Sequence, residues 1–212
     1  MSASPLMEAH GLEMWRNDRL IFSDLNLSIP VGHALYVRGP NGSGKTTLLR
    51  ILCGLVEPTE GTFHLNGQLL GRNDVALRSK IGFLGHADGI KLELTARENL
   101  QYSSALYPDA RGHDIHQALV DMGLADIADV ECRYLSAGQR RRAAIARLQV
   151  SGSQLWLLDE PFTALDRDGI QQLNTILKVA IVNGLTLIFT SHQSVELDFE
   201  VATLDLPEGR LS

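Results

Sequence analysis

The chain has 212 residues, 44% hydrophobic and 21% charged, enough for one domain or for one domain with a subdomain. Its formal net charge of -6 argues against a protein that coats nucleic acid, and no segment approaches the roughly 20 apolar residues of a membrane span. Two cysteines, Cys53 and Cys132, stand in no metal-like pairing and fit a reducing compartment without a disulfide framework.

Met1 to His10 has neither the basic start nor the apolar run of a signal peptide. Leu20 to Ile29 partly alternates apolar and polar, as a half-buried strand does. Pro30 and Gly32 predict a turn, and His33 to Arg38 a strand leading into a glycine-rich loop. Lys45 to Cys53 is apolar at helical spacing and ends at Gly54. Thr62 to Leu65 and Gln68 to Leu70, joined by Asn66-Gly67, predict a hairpin. Ile81 to Leu84 is a short strand candidate. Helical signals dominate from Thr95 to Gln149: a capping box at Thr95 and Glu98, then helices over Asp109 to Gly123 and Ser136 to Gln149. Strands return at Leu155 to Leu158 and Leu185 to Thr190, with an amphipathic helix over Asp166 to Val182 between them. The order predicts an α/β fold with a mixed β core and a helical insertion near residues 86–150.

Four stretches carry chemistry. The first, Gly39-Pro40-Asn41-Gly42-Ser43-Gly44-Lys45-Thr46, with Thr47 after it, fits a P-loop between a strand and a helix. Its glycines let backbone amides wrap phosphates; Lys45 suits the β- and γ-phosphates and Thr46 suits Mg²⁺. The second is Leu155-Trp156-Leu157-Leu158-Asp159-Glu160, an apolar strand ending in two carboxylates. Asp159 suits Mg²⁺ through water, and Glu160 suits polarisation of an attacking water; by itself the pair reads equally well as solvated acids at a strand end. The third, Leu135-Ser136-Ala137-Gly138-Gln139, read alone is a serine N-cap, and Arg140, Arg141, Arg142 and Arg147 after it read as a solvated helix face. The fourth is His192, at the end of an apolar strand, where a lone histidine is more often structural.

Taken in order, with Ala164-Leu165-Asp166 between the Asp-Glu pair and His192, these motifs resemble the ATP-binding cassette (ABC) ATPases over nearly the whole chain. The resemblance implies a P-loop NTPase fold, one ABC ATPase domain over residues 1–212 with an antiparallel β subdomain and an inserted helical subdomain near 86–150, and ATP with Mg²⁺ as ligands. It implies a homodimer with ATP, in which Leu135, Ser136, Ala137, Gly138 and Gln139 of one copy meet the γ-phosphate held by Lys45 of the other. It makes Glu160 the catalytic base, His192 the γ-phosphate switch and Asp166 an interface residue, and it makes Trp15 a candidate for adenine stacking beside the alternative of a plain core or surface tryptophan. Two positions depart from the pattern. Ala137 replaces a signature glycine, which a helix N-terminus tolerates. His86 stands where the family has a glutamine near the Mg²⁺; a solvated loop histidine is the competing reading.

Gly85-His86-Ala87-Asp88-Gly89-Ile90-Lys91, Leu94 to Leu100, Leu135 to Arg142, Leu155 to Asp166 and Ser191-His192-Gln193 resemble more closely the ATP-binding subunit of the cytochrome c maturation system, the haem exporter ATPase. That implies integral membrane permease partners, no nucleic acid, and a peripheral place on the cytoplasmic face of a bacterial inner membrane. The alternatives left open are the ATPase of a different exporter and a non-transport ABC switch. His10, His33, His64, His113 and His116 are scattered and form no haem motif; His113 and His116 share an i, i+3 spacing that reads as a solvated helix face.

Overall fold

Alternation of side chains along the strands divides the interior into two cores, one on each face of a central sheet. The computed structural model describes residues 5–71, 74–106, 114–192, 196–206 and 209–211. The central sheet contains β3 (Ala34–Arg38), β6 (Ile81–Leu84), β7 (Leu155–Leu158), β8 (Thr186–Thr190), β9 (Ala202–Asp205) and β10 (Arg210–Leu211). Their order is β10-β9-β3-β8-β7-β6, parallel throughout except for β10. Leu155 and Leu157 of β7, Ile188 of β8, and Leu35 and Val37 of β3 enter one core. The intervening Trp156, Leu158, Leu187 and Phe189 enter the other. Burial on both faces explains why β7 and β8 read as continuous apolar runs.

The first core is closed by α1 (Lys45–Leu52) and by an antiparallel sheet of order β2-β1-β4-β5. That sheet consists of β1 (Pro5–Arg16), β2 (Arg19–Pro30), β4 (Glu60–Leu65) and β5 (Gln68–Leu69). In β2 the alternation is read directly: Leu25, Leu27 and Ile29 are buried, and the residues between them are exposed. Asn66 and Gly67 both take positive φ, 52° and 72°, so the predicted Asn-Gly turn joins β4 to β5. Past α1, Gly54 and Leu55 donate to the carbonyls of Ile51 and Arg50, the paired bonds that end a helix at glycine.

The second core is covered by the helices between β6 and β7 and by α6 (Arg167–Val182). Those helices are α3 (Ala96–Ala105), α4 (Ile115–Asp121) and α5 (Ala137–Val150); a short α2 (Val75–Arg78) precedes β6. Thr95 and Glu98 form the expected reciprocal capping box, and Ser136 and Gln139 form a second one.

Three expectations need correction. β1 lies in a stretch read only for the lack of a signal peptide; Asn17-Asp18, both at positive φ, closes it onto β2. The helix expected over Asp109 to Gly123 is confined to Ile115–Asp121 in what is described, with Asp114 as its cap; residues 109–113, including His113, lie outside the described residues, as does Gln193. The three arginines after the signature are not one solvated face, because Arg141 is buried.

Candidate active site

Parallel strands deliver their C-terminal ends to one rim, where open α/β sheets bind ligands. Four ends matter here: β3 runs into the P-loop, β6 into Gly85-His86, β7 into Asp159-Glu160 and β8 into Ser191-His192. They border a cavity of about 570 Å³ whose walls include Gly42, Lys45, Thr46, His86, Glu160 and His192. A cavity of about 640 Å³ lies elsewhere, between the end of α5, the start of β7 and α6. Of the motif residues only Trp156 lines it, whereas Lys45, Thr46, Asp159, Glu160 and His192 all line the smaller cavity, which is the candidate active site.

The P-loop is held open by backbone geometry. Gly44, at φ 101°, has no room for a side chain: a Cβ there would overlap Ile21 and press on Phe22 of β2. Asn41, Gly42, Gly44, Lys45, Thr46 and Thr47 line the cavity; Gly39 and Ser43 sit behind them, with Ser43 buried and its Oγ without a partner. Lys45 is 7% exposed and donates through Nζ to the carbonyls of Gly39 (2.8 Å) and Pro40 (3.1 Å). The ammonium therefore stays across the loop, in reach of an anion cradled there.

Asp159 is 3% exposed, and both its oxygens are engaged: Oδ2 accepts from Thr46 Oγ1 and Oδ1 from Thr190 Oγ1, each at 2.8 Å. Thr190 Oγ1 in turn accepts from the Glu160 backbone N–H at 3.0 Å. Glu160 takes a left-handed φ of 53°, a conformation that costs a non-glycine residue about 1–2 kcal/mol. Its Oε2 accepts from the backbone N–H of His192 at 2.9 Å. Its Oε1 is buried without a hydrogen bond and lies 3.4 Å from His192 Nε2. Glu160 also lines the cavity, so its carboxylate is placed where proton abstraction from a water would need it.

Tyr36 of β3 was not singled out by the sequence. Its hydroxyl donates to the Ser191 carbonyl at 2.9 Å, and its ring stacks on Phe189 at 4.9 Å, so it sets the strand end that presents His192. Burial, and then the charge of Glu160, push its phenol above the ordinary value. A polar-tipped aromatic within an otherwise apolar strand was the available signal. The two cysteines are free and buried, and burial pushes the Cys53 thiol up to about 11.

Trp15 is 45% exposed, its indole N–H bonds Glu13, and it is not on the cavity wall; the next residue, Arg16, is. His86 is on the wall. The signature residues are elsewhere: Ser136 caps α5 and is exposed, as is Ala137, while Leu135 is buried. Gly138 packs against the loop before α6, where a Cβ would lie 2.8 Å from the Ala164 carbonyl. Asp166, exposed, caps α6 through Gly169 N–H. P-loop and signature residues of one chain thus do not share a cavity.

A family model described as ABC transporter matches residues 22–163. Two relatives bear the name cytochrome c biogenesis ATP-binding export protein CcmA. The protein from Nitrosococcus oceani is 47% identical over 92% of this chain and 89% of its own length. The protein from Pseudomonas savastanoi pv. phaseolicola is 48% identical over 91% of each. Among solved structures, a dimeric post-hydrolysis state of the ATP-binding cassette MJ0796 bound to ADP and Pi superposes with a TM-score of 0.81, at 25% identity and 97% coverage of both chains. The chain belongs to the ABC transporter family and is one of its ATP-hydrolysing, ATP-binding subunits.

Proposed function

We propose that the chain is the motor subunit of a membrane complex in cytochrome c biogenesis, working as an ATP-dependent homodimer. The observation that carries the catalytic part is the meeting of Lys45, Thr46, Glu160 and His192 on one cavity, with Asp159 bonded to Thr46. The cytochrome c part rests on relatives of that name at 47% and 48% identity.

Backbone amides between Asn41 and Thr47 cradle the triphosphate, and Lys45 leaves the loop carbonyls for the β- and γ-phosphates. The oxygen donors Thr46 and Asp159 fit Mg²⁺, which takes one or two protein oxygens and completes its shell with phosphate and water; when bound, the ion neutralises charge on the phosphates. Glu160 takes a proton from the attacking water, and His192 contacts the γ-phosphate. His86, at the glutamine position, orients that water or the ion's shell.

The other half of the site comes from the second copy. The capping box engages the amides of Ser136 and Gln139, so the Ser136 hydroxyl and the amides of Ala137 and Gly138 offer donors and partial positive charge to the γ-phosphate across the interface. Leu135 anchors that turn, Gln139 completes its cap, and Asp166 faces the same interface. The chain works as one domain, and its helical block at 86–150 docks on integral membrane permease subunits at the cytoplasmic face of the inner membrane. No helix among the described residues is long and apolar enough to cross a membrane, so attachment runs through those partners.

Glu160→Gln is expected to lower phosphate release by at least about 100-fold while ATP still binds, and to leave an ATP-dependent dimer visible by light scattering. Turnover near wild type would sink the assignment of the base. Arg16 replaces Trp15 as the nucleobase contact: Arg16→Ala is expected to weaken ATP binding by about 5- to 30-fold, the loss of one cation–π stack, and Trp15→Ala by less than twofold. A reversed order in calorimetry would restore Trp15. For the cellular role, Glu160→Gln trapped with ATP in native membranes should co-purify with small polytopic proteins and a haem absorption band. Repeated recovery of an unrelated permease without haem would assign the chain to a different exporter.

A further inference from the structure

Arg140, Arg141 and Arg142 are adjacent, but only Arg141 is enclosed, its side chain 4% exposed. Its guanidinium is shared among five acceptors. Nη2 donates to the carbonyls of Asp159 and Glu160, each at 2.7 Å. Nη1 donates to the Gly85 carbonyl at 3.0 Å and to Asp88 Oδ1 at 3.1 Å, and Nε reaches the Pro161 carbonyl at 3.4 Å. These acceptors lie where the β6–β7 ladder stops: its last bonds involve Leu84 and Leu158, followed by Asp159 N–H to the Leu84 carbonyl at 2.7 Å. Beyond that point the guanidinium, not the backbone, holds the two emerging loops together.

We propose that Arg141 is a positioning residue for hydrolysis, with Asp88 as its anionic partner: it fixes the backbone of Glu160 and ties it to the loop that carries His86 and to the signature helix. One nitrogen bonding the carbonyls of consecutive residues requires a turned backbone, and Glu160 has one, at φ 53°. Strain of this kind persists only where surrounding contacts over-determine it. Arg141 supplies them from below, and Thr190 supplies one from the side. Arg141 lies five residues after Ser136 on the same helix, so a displacement of the signature end by the second copy's γ-phosphate is carried by α5 to the Glu160 carbonyl. Asp88, 25% exposed, is two residues past His86 and ties that loop to the same guanidinium. A lysine cannot reproduce this, because it has three donors on one atom instead of a planar fork.

The inference rests on Glu160 being the catalytic base. The test compares Arg141→Lys, Asp88→Asn and the double variant with wild type in steady-state ATPase, ATP affinity and thermal unfolding, with Glu160→Gln as the reference for lost chemistry. Arg141→Lys is expected to lower kcat by about 10-fold or more while KM and ATP affinity stay within about twofold, because a misplaced base spoils the reacting geometry without spoiling phosphate binding. Asp88→Asn should lower kcat by about 3-fold, and the double variant should fall no further than Arg141→Lys, since the two act as one unit. Unchanged kcat, or a fall in kcat accompanied by a raised KM and a lowered unfolding temperature, would overturn the proposal. If Arg141→Lys does not fold, Asp88→Asn decides alone: a fall in kcat only supports the role, and an unchanged kcat overturns it. Hydrolysis surviving in Glu160→Gln would remove the base assignment, whereas a dead Glu160→Gln beside a normal Arg141→Lys would remove only the positioning role.

Discussion

A carboxylate taken out of water must be given its hydrogen bonds back, and the site is arranged around that requirement at Asp159. Its two oxygens accept from the first turn of α1 and from the end of β8, while its own strand lies beside β8 in the sheet. Burying such a group without partners would cost several kcal/mol, on the order of its desolvation penalty. With Thr46 and Thr190 in place, three segments far apart in sequence are registered to one another at about hydrogen-bond precision. The chain of bonds continues through Thr190 to the Glu160 amide, and in such a chain each bond polarises the next. The P-loop, Glu160 and His192 are therefore set by one small network at the sheet rim, which the two apolar cores hold rigid from either face.

Legibility of the fold followed from how locally each signal is encoded. The Asn66-Gly67 turn, the Thr95 and Ser136 caps and the apolar runs of β7 and β8 each depend on residues within a few positions, and each was read. β1 was not read, because its alternation is broken by bulges against both neighbours. Arg16 was not singled out either, because it reaches the cavity wall only once the Asn17-Asp18 turn folds β1 onto β2. Arg141 was missed because burial of a cation is a tertiary fact. Its acceptors are the Asp88 carboxylate and the Gly85 carbonyl, 53 and 56 positions earlier, and backbone carbonyls 18 to 20 positions later, which no local pattern displays.

One chain contains both the P-loop and the signature turn and keeps them apart. The P-loop opens into the cavity, while the signature turn of α5 is exposed at Ser136 and Ala137 and packs against the loop before α6 through Gly138. An exposed helix start that keeps the amides of Ala137 and Gly138 outside its capping box is poised for an anion. In the proposed dimer each copy supplies that anion's second shell of donors to the other, so ATP acts as the adhesive and its hydrolysis as the release. Arg141 then couples the signature turn of α5 to the proposed base, with phosphate sensed at Ser136 and the Glu160 carbonyl held about one and a half turns later.

The central claim is that the active site is completed by the signature turn of a second copy, and a single charge can test it. Ala137 is exposed at the first position of α5, where a carboxylate favours the helix itself through its dipole but repels a phosphate. The measurement is the solution mass, with ATP, of Glu160→Gln carrying Ala137→Glu. The composite-site account predicts that this variant binds ATP in its own P-loop as before and remains at single-chain mass, where Glu160→Gln alone doubles. A dimer that forms as readily with the added carboxylate would contradict it and place the γ-phosphate contacts elsewhere.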